Sequence, residues 1–382
     1  MKKVVFTLIF NDVDESHLGK DVFLVPRYWC KIHHAEGNIV YPRKLGYKEL
    51  PNQHRGINLI PLKTYLKRSR KSYLVSALIY LLCNAWKIDV LMQFHFSDNT
   101  LYLGNFFKLL HPNGFLYIKC DGEYWLDNVL EVAQSNHGFR ATIKRLLYER
   151  LLKKANMVSI ETETGYEKLQ TKLYFGISLK EKSCLLENGF DEDLLKEQSI
   201  NELTFIEKEN LIITVGRLGA YPKNIELILK AAEGLSFKNW KMVLIGPIEK
   251  EFKGKIEDFF SRNANLKNKI VFVGAISDKK ELWEWYNRAK VFVFTSKSES
   301  FGLVLMEAYR FNNYIISTDV GWAKSAIKKS IGEIIPQDDY LSLRNAIQSV
   351  IDKNMDLSKK DIQKEDISYE ILINNAFKEW VI

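Results

Sequence analysis

Two glutamates, Glu299 and Glu307, bracket an apolar stretch of the chain. The stretch follows residues 291–294, whose apolar and β-branched side chains predict a buried strand, and it continues as a helical pattern. Eight positions separate the two carboxylates, so one lies in the turn after the strand and the other two helical turns later. Both carboxylates would then be within reach of one bound nucleotide-sugar.

Glu307 is the more constrained of the two, because the helix predicted over residues 303–311 is apolar on nearly every face. A buried carboxylate without a partner costs several kcal/mol, so Glu307 needs either the hydroxyls of a ribose or the ammonium of a neighbouring lysine. Gly302 lets the backbone approach a ligand closely, and the first N–H groups of the helix would face a phosphate.

A second cluster of reactive residues follows the predicted strand over residues 211–215, in the sequence Val-Gly-Arg-Leu-Gly-Ala-Tyr-Pro-Lys-Asn. Arg217 could contact phosphate oxygens in a bidentate manner, and Lys223 would add a point charge beside the start of the next helix. Basic residues are common at loop ends, but their place at the carboxyl end of a strand favours a diphosphate site.

The composition of the chain predicts a folded protein of two or three domains. It has 382 residues, of which 46% are hydrophobic and 13% aromatic. The four cysteines are widely dispersed and form no C-x-x-C pair, so neither a zinc site nor a disulfide framework is indicated. The apolar run over residues 4–10 favours a first buried strand over a signal peptide, and no segment is long enough for a transmembrane helix.

The formal net charge of +8 is unevenly distributed. Lys63, Lys67, Arg68, Arg70 and Lys71 form one basic cluster, and a second lies over residues 140–154, both in the first half. Because apolar residues recur at helical spacing in the second cluster, its basic face could simply be solvated, or it could contact a membrane surface. A basic surface could also bind nucleic acid, but the sequence contains no pattern typical of nucleic-acid binding.

Alternating strand and helix patterns predict an α/β fold with two doubly wound parallel sheets. In the second half, strands are predicted over residues 211–215, 242–245, 270–273, 291–294, 314–317 and 333–335. In the first half they are predicted over residues 4–10, 38–41, 90–94, 115–119, 157–160 and 184–186. The predicted domains are 1–195 and 196–365, with a final helix over 366–382 that we expect to pack on the first domain.

The order of these motifs resembles the retaining glycosyltransferases of family 4, which have the GT-B fold. The resemblance is carried by Glu-Asn-Gly-Phe-Asp at 187–191, the Gly-Arg and Lys-Asn pairs at 216–217 and 223–224, Gly274, and Glu-Ser-Phe-Gly with Glu-Ala at 299–302 and 307–308. It is strong over residues 184–320 and weak before them. It implies two facing Rossmann-like domains with an interdomain cleft: a first domain that binds the acceptor and a second that binds the donor.

The resemblance also implies roles for single residues. Arg217 and Lys223 would hold the donor diphosphate, and Glu307 would bind the ribose hydroxyls. The donor sugar would be held by Glu299 and by the backbone of Phe301, Gly302 and Leu303. The base would lie against the backbone of Gly274, Ala275 and Ile276.

The first half departs from the family's usual pattern. Many members have a paired-glycine loop after the first strand, whereas this chain has a single glycine, Gly19, followed by Lys20. These two residues could still contact the phosphates. Members often place a histidine at the end of a first-domain strand, and the similar position here is Asp121. Asp121 would hydrogen-bond a sugar hydroxyl or lie near the reacting carbon, or it is a turn aspartate before Gly122.

The resemblance implies sugar transfer with retention of the anomeric configuration by front-face attack, since no protein nucleophile is evident. Asp121, Glu299, Arg217 and Lys223 would be the catalytic residues. Asp12 and Asp14 form a D-x-D pair, but it follows the first strand directly, so we interpret it as loop carboxylates and expect neither a metal nor a cofactor.

Two other functions share this architecture. A sugar-nucleotide 2-epimerase would need acid and base groups around the sugar, and no histidine lies between Arg217 and Glu307. A nonenzymatic nucleotide-sugar binding protein stays open. We expect a cytoplasmic enzyme, peripheral at the cytoplasmic face of the inner membrane, that uses a glycan or lipid-linked acceptor in cell-surface polysaccharide synthesis and binds no nucleic acid.

Overall fold

The computed structural model describes residues 3–11, 13–43, 49–63, 70–134, 138–329, 331–353 and 364–380. Asp12 of the D-x-D pair, and Lys67 and Arg68 of the first basic cluster, lie outside these ranges. The chain divides into unit 1, residues 1–189 with 369–382, and unit 2, residues 190–368. The sequence placed the same divisions at 195/196 and 365/366.

Unit 1 is built on one large sheet and a small hairpin. Its strands are β1 (Val5–Ile9), β2 (Glu36–Pro42), β3 (Gln53–His54), β4 (Ile57–Leu62), β5 (Val90–Phe94), β6 (Phe115–Cys120), β7 (Met157–Ile160), β8 (Leu173–Tyr174), β9 (Ile177–Ser178) and β10 (Ser183–Leu185). The sheet order is β10-β7-β6-β5-β1-β2-β4-β3, and only β3 runs antiparallel among these strands, while β8 pairs with β9.

Helices cover both faces of this sheet. They are α1 (Asp21–Ile32), α2 (Arg70–Asn84), α3 (Asp98–Leu110), α4 (Tyr124–Gln134), α5 (Phe139–Lys154), α6 (Glu163–Thr171) and, at the end of the chain, α14 (Tyr369–Phe377). One core cluster joins the sheet to α1 and α14, and another joins it to α2, α3, α4, α5 and α6. The apolar side chains of each strand therefore have a helical layer on either side, as in doubly wound folds.

Unit 2 is a six-stranded parallel sheet. Its strands are β11 (Glu209–Val215), β12 (Lys241–Ile245), β13 (Ile270–Gly274), β14 (Ala289–Phe294), β15 (Tyr314–Thr318) and β16 (Gly332–Ile335). Its helices are α7 (Glu192–Gln198), α8 (Ile225–Ala232), α9 (Phe252–Arg262), α10 (Lys279–Arg288), α11 (Leu303–Arg310), α12 (Ala323–Lys329) and α13 (Tyr340–Lys353). Two core clusters fill the two faces of the sheet.

Strand order fixes where each sheet is best suited to bind a ligand. The order β13-β12-β11-β14-β15-β16 reverses direction between β11 and β14, and in unit 1 the reversal falls between β1 and β5. At such a reversal, the loops at the carboxyl ends of the two strands diverge and leave a crevice. The α/β prediction is thus confirmed, and no helix of the described residues is long and apolar enough to cross a membrane.

Candidate functional site

Three neighbouring strands of unit 2 end in glycine at the same edge of the sheet. Gly216 follows β11, Gly246 follows β12, and Gly274 ends β13. The N–H of Gly246 donates to the carbonyl of Gly274 at 2.7 Å, and a Cβ at position 246 would collide with the carbonyl oxygen of Gly216. Only glycine allows this close approach, which leaves an edge lined by backbone. The sequence indicated Gly216 and Gly274 but not Gly246.

Arg217 and Lys223 lie on the loop that leaves this edge from β11. Arg217 is exposed, and its guanidinium has no hydrogen-bond or ion-pair partner among the described residues. Lys223 ends a short 3-10 turn that is fixed to β14, because the Thr295 hydroxyl donates to the carbonyls of Lys223 at 3.0 Å and Asn224 at 3.1 Å. The loop therefore holds two cations at the β11–β14 reversal, one of them unpaired.

The Lys223 ammonium is paired with Glu299, which lies on the loop after β14. Glu299 Oε1 accepts from Lys223 Nζ and also from the Ser296 hydroxyl at 2.8 Å. The second oxygen, Oε2, has no partner among the described residues. Since an ammonium carries three N–H donors and a carboxylate two acceptor oxygens, both groups keep hydrogen-bonding capacity for a ligand.

The turn between β14 and α11 is held against the loop that follows β15. Phe301 is buried and stacks on Trp322 with ring centroids 5.7 Å apart. The backbone N–H of Trp322 donates to the Phe301 carbonyl at 2.8 Å. A Cβ at position 321 would collide with that carbonyl, so Gly321 is required there. The side chain of Phe301 thus belongs to the core, and only its backbone, with Gly302 and Leu303 at the start of α11, is left to contact a ligand.

Glu307 lies in the second turn of α11 with its side chain 10% exposed. Its Oε1 accepts from the Lys279 ammonium and from the Trp283 indole N–H at 3.1 Å. Burial raises the pKa of the neighbouring Tyr286, and the negative charge of Glu307 raises it further. Of the two partners that the sequence left open for Glu307, the structure contains the lysine; the ribose contact stays a prediction.

The loop proposed for the base leads directly to this lysine. Gly274 ends β13, Ala275 is exposed, and Ile276 packs partly into the core of unit 2. Asp278 then caps α10 by accepting from the backbone N–H of Glu281 at 3.0 Å. Because Lys279 is the first residue of α10, the cap fixes the helix start from which Lys279 reaches Glu307.

In unit 1, the structure places Gly19 and Lys20 directly before α1, where Lys20 is the N-cap residue. The side chain of Asp21, the first helical residue, is 15% exposed and accepts from the ammonium of Lys119 at 3.0 Å. Lys119 is itself fully buried and also pairs with Glu161. The sequence did not indicate this buried charge cluster.

Asp121 follows β6 and contacts two aromatic side chains. Its Oδ1 accepts from the Trp125 indole N–H at 2.9 Å and lies 3.2 Å from Nδ1 of His95. The His95 ring stacks on Trp125 with an interplanar angle of 4°. Burial lowers the pKa of His95, which favours the neutral imidazole. Asp121 is therefore part of a side-chain cluster rather than only a turn residue.

His95 is a residue that the sequence reasoning missed. It follows β5 directly, so it is a histidine at the end of a first-domain strand, the kind of position at which the sequence pointed to Asp121 instead. Its φ of 60° places it in the left-handed region, which is unusual for a residue other than glycine. The signal in the sequence that could have identified His95 was its position directly after the strand predicted over residues 90–94.

Comparisons with known proteins agree with this architecture. Residues 196–368 match the family model of glycosyl transferases group 1. An uncharacterized glycosyltransferase of Methanocaldococcus jannaschii is 29% identical over 196 residues, which cover 46% of this chain and 49% of that protein. A lipopolysaccharide core biosynthesis mannosyltransferase of Rhizobium leguminosarum is 26% identical over 187 residues, 46% of this chain and 51% of that protein. The matched stretch thus spans about half the length of these relatives.

Solved structures are similar over nearly the whole chain. Sucrose-phosphate synthase of Thermosynechococcus elongatus superposes with a TM-score of 0.69 at 16% identity, covering 99% of this chain and 98% of that one. HepE of Anabaena, in complex with UDP and glucose, superposes with a TM-score of 0.66 at 13% identity and covers 99% of both chains. The chain therefore has the GT-B fold, and its residues 196–368 match the family model of glycosyl transferases group 1.

Proposed function

We propose that this protein is a glycosyltransferase that moves a sugar from a nucleotide-diphosphate sugar to a glycan or lipid-linked acceptor, with retention, in cell-surface polysaccharide synthesis. The observation that carries the proposal is the Lys223–Glu299 ion pair at the β11–β14 reversal, with the unpaired Arg217 on the same loop. A diphosphate needs cations and a sugar needs hydrogen-bond acceptors, and this pair offers both side by side.

The leaving diphosphate gains negative charge as the bond to the sugar breaks. Arg217 and the two free N–H donors of Lys223 would stabilise that charge, together with the first N–H groups of α11. The unpaired Oε2 of Glu299 would accept from a hydroxyl of the donor sugar. Glu307 would bind the ribose, and the backbone of residues 274–276 the base. No metal ion is required in this scheme, since the protein supplies the positive charge.

A thermal-shift screen across nucleoside diphosphates and nucleotide-sugars tests the proposed donor site. A ligand that binds the native state raises the melting temperature by mass action, so at least one nucleotide should stabilise the protein. The shift should be smaller in Arg217→Ala, which removes the unpaired guanidinium. It should be unchanged in Lys255→Ala, which removes an exposed lysine that pairs with Glu226. A panel in which no nucleotide shifts the melting temperature would contradict the proposal.

Incubation with the stabilising nucleotide-sugar separates the three functions. A transferase consumes the donor when an acceptor is present and gives at most slow hydrolysis without one. An epimerase changes the sugar without any acceptor, and a nonenzymatic binding protein leaves it intact with every acceptor. Transfer should persist in excess chelator, because the scheme uses no metal ion.

The surface of unit 1 supports the proposal that the enzyme works on the cytoplasmic face of a membrane. Val75, Ile79, Leu82 and Trp86 form an exposed apolar stripe along α2 and the turn that follows it. Leu109 on α3 and Leu146 on α5 are also exposed, and α3 packs against both other helices. Arg140, Arg150, Lys153 and Lys154 add exposed positive charge on α5. Such a surface fits an anionic lipid bilayer.

Cosedimentation with anionic phospholipid vesicles at low salt tests this contact. The wild-type protein should bind, and Leu82→Glu should weaken binding because it places a carboxylate in the apolar stripe. Leu173→Glu is the matched control, since Leu173 is an equally exposed leucine on β8. Binding that is equally weak in both variants, or absent in the wild type, would contradict the membrane contact.

A further inference from the structure

Unit 1 contains a cavity of about 830 Å³ at the reversal between β1 and β5. Asn11, which follows β1, lies on one side, and the start of α3 after β5 lies on the other. Residues of α4 and α5 complete the wall, among them Tyr124, Trp125 and Tyr148. The cavity therefore occupies the position where a parallel sheet is best suited to hold a ligand, but in unit 1 and not at the cluster around Lys223.

Five aromatic side chains line the cavity, among them those of Tyr102, Tyr124 and Trp125. Tyr124 is 67% exposed and Tyr102 is 45% exposed, values that are high for side chains of this size. Trp125 is fixed from behind, because its ring stacks on His95 at 4.5 Å and its N–H donates to Asp121. A rigid ring with one face supported is a suitable platform for the C–H face of a sugar, which is apolar while the rim of the sugar carries hydroxyls.

The polar groups of the wall match such a rim. The amides of Asn11, Asn99 and Asn128 and the carboxylate of Glu131 line the cavity and have no hydrogen-bond partner among the described residues. An amide both donates and accepts, as a sugar hydroxyl does. Apolar rings with a few convergent amides are the composition expected of a site for a neutral polyhydroxylated ligand.

The charges of the wall argue against a phosphate or a lipid chain. Among the described lining residues, Lys144 carries the only positive charge, and its ammonium is paired with the carboxylate of Asp98 at 2.9 Å. Glu131 then leaves the wall with an excess of negative charge, which repels an anion. A lipid chain would bury the amides without satisfying them, at a cost for each.

We propose that this cavity binds a neutral sugar residue of the acceptor, stacked on Tyr124 and Trp125 and hydrogen-bonded by Asn128 and Glu131. The inference rests on the proposed function, because it identifies the part of the acceptor that unit 1 recognises. It also gives roles to residues that the sequence analysis did not indicate. The residues of the cavity wall would select the glycan, while a phosphate or lipid portion of the same acceptor would bind elsewhere.

Saturation-transfer NMR with methyl glycosides of glucose, galactose and mannose, and with their disaccharides, tests the cavity directly. At least one probe should show saturation of its ring protons in the wild type. Binding should weaken about tenfold in Tyr124→Ala, in line with the loss of an aromatic contact. It should weaken in Asn128→Ala and stay unchanged in Phe139→Ala, an exposed aromatic residue of the same unit that is outside the cavity wall.

The result is separable from the outcome for the donor site. If nucleotides stabilise the protein but no glycoside shows saturation, or if Tyr124→Ala and Phe139→Ala bind equally well, the cavity assignment is overturned and the proposed donor site is not. If glycosides bind with the expected dependence on Tyr124 and no nucleotide stabilises the protein, the cavity is confirmed as a sugar site and the proposed transferase function fails. Inorganic phosphate should not compete with the glycosides; competition would overturn the neutral-ligand assignment.

Discussion

Unit 1 and unit 2 each hold a cluster of opposite charges at the carboxyl edge of a sheet, and the two clusters differ in how completely they are satisfied. The buried triad of unit 1, which we define as Asp21, Lys119 and Glu161, has Lys119 0%, Glu161 2% and Asp21 15% exposed. In the ion pair of unit 2, Lys223 is 23% and Glu299 15% exposed. The pair in unit 2 keeps a free carboxylate oxygen, whereas the triad is closed by the Asn188 amide, which donates to Glu161 at 2.8 Å.

Burial also shifts the pKa values of the two carboxyl groups in the triad. Burial raises the pKa of Glu161 well above its usual range, more than the Lys119 ammonium lowers it. Burial opposes ionisation of Asp21 as well, but there Lys119 prevails and the pKa is lowered. The Lys119 ammonium thus favours the ionised form of Asp21, while burial favours the protonated form of Glu161. The comparison teaches that a lysine and its carboxylates serve structure where the ammonium is fully enclosed, and remain available to a ligand where water still reaches the ammonium.

Removing the cation of the buried triad should have the largest effect. Lys119→Met keeps the length of the side chain but leaves Asp21 without its countercharge, and the loss of one member of a buried pair costs about 3–5 kcal/mol. We expect a correspondingly lower free energy of unfolding in urea titrations followed by circular dichroism. A variant as stable as the wild type would show that the triad does not hold unit 1 together.

Removing the cation of unit 2 should affect turnover rather than folding. In Lys223→Ala, Glu299 keeps the Ser296 hydroxyl as a partner and stays accessible to water, so we expect a small change in stability. The developing charge on the diphosphate loses one donor, which by analogy with oxyanion holes lowers kcat about 10²–10³-fold. Wild-type turnover in the purified, folded variant would remove Lys223 from the proposed mechanism. Lys255→Ala serves as the control for the loss of a positive charge.

The sequence was sufficient for the strands because each buried parallel strand is a short apolar run between helical patterns. It missed the two-residue strands β3, β8 and β9. It also missed β4, whose Asn58 and Pro61 interrupt the apolar pattern although the strand pairs along its whole length with β2. It also missed Gly246 and Gly321, since the backbone groups that exclude a Cβ at these positions come from other loops. Such close approaches depend on tertiary packing and leave no local signal in the chain.

The buried triad shows the same limit for charged residues. Asp21, Lys119 and Glu161 are far apart in sequence and meet only because β1, β6 and β7 end at one edge of the sheet. The predicted strand over 115–119 contained a usable signal, since a lysine in an otherwise apolar buried strand requires a countercharge. Nothing in the sequence identified which carboxylates supply it. Glu299 and Glu307 were easier to identify from the sequence as neighbours, because a single turn and the helix that follows it contain both carboxylates.

The assignment of Glu307 to the ribose predicts an effect of intermediate size. Glu307→Gln keeps the shape and removes the charge, so a hydrogen bond to a ribose hydroxyl should lose about 1–2 kcal/mol, or roughly tenfold in nucleotide affinity. Titration calorimetry with the stabilising nucleotide and with its 2′-deoxy and 3′-deoxy forms would measure this. Wild type should discriminate against at least one deoxy form and the variant should not. Equal discrimination in both proteins would indicate that Glu307 serves only to pair with Lys279.

The smallest effect is expected for Glu161→Gln, which replaces a carboxyl whose protonated form is favoured by burial with a neutral group of the same shape. Because the folded pKa of Glu161 is raised above its reference value of 4.5, the stability that its proton contributes is present below that pH and is lost as the pH rises through the folded pKa. Glutamine does not ionise, so the variant should differ from the wild type by about 1 kcal/mol or less in acid and gain relative to it at higher pH, with a slope of at most about 1.4 kcal/mol per pH unit. Unfolding free energies measured from pH 4 upward in both proteins would show this divergence. Parallel curves would mean that Glu161 is ionised in the native state, and the charge balance inferred for the triad would then be wrong.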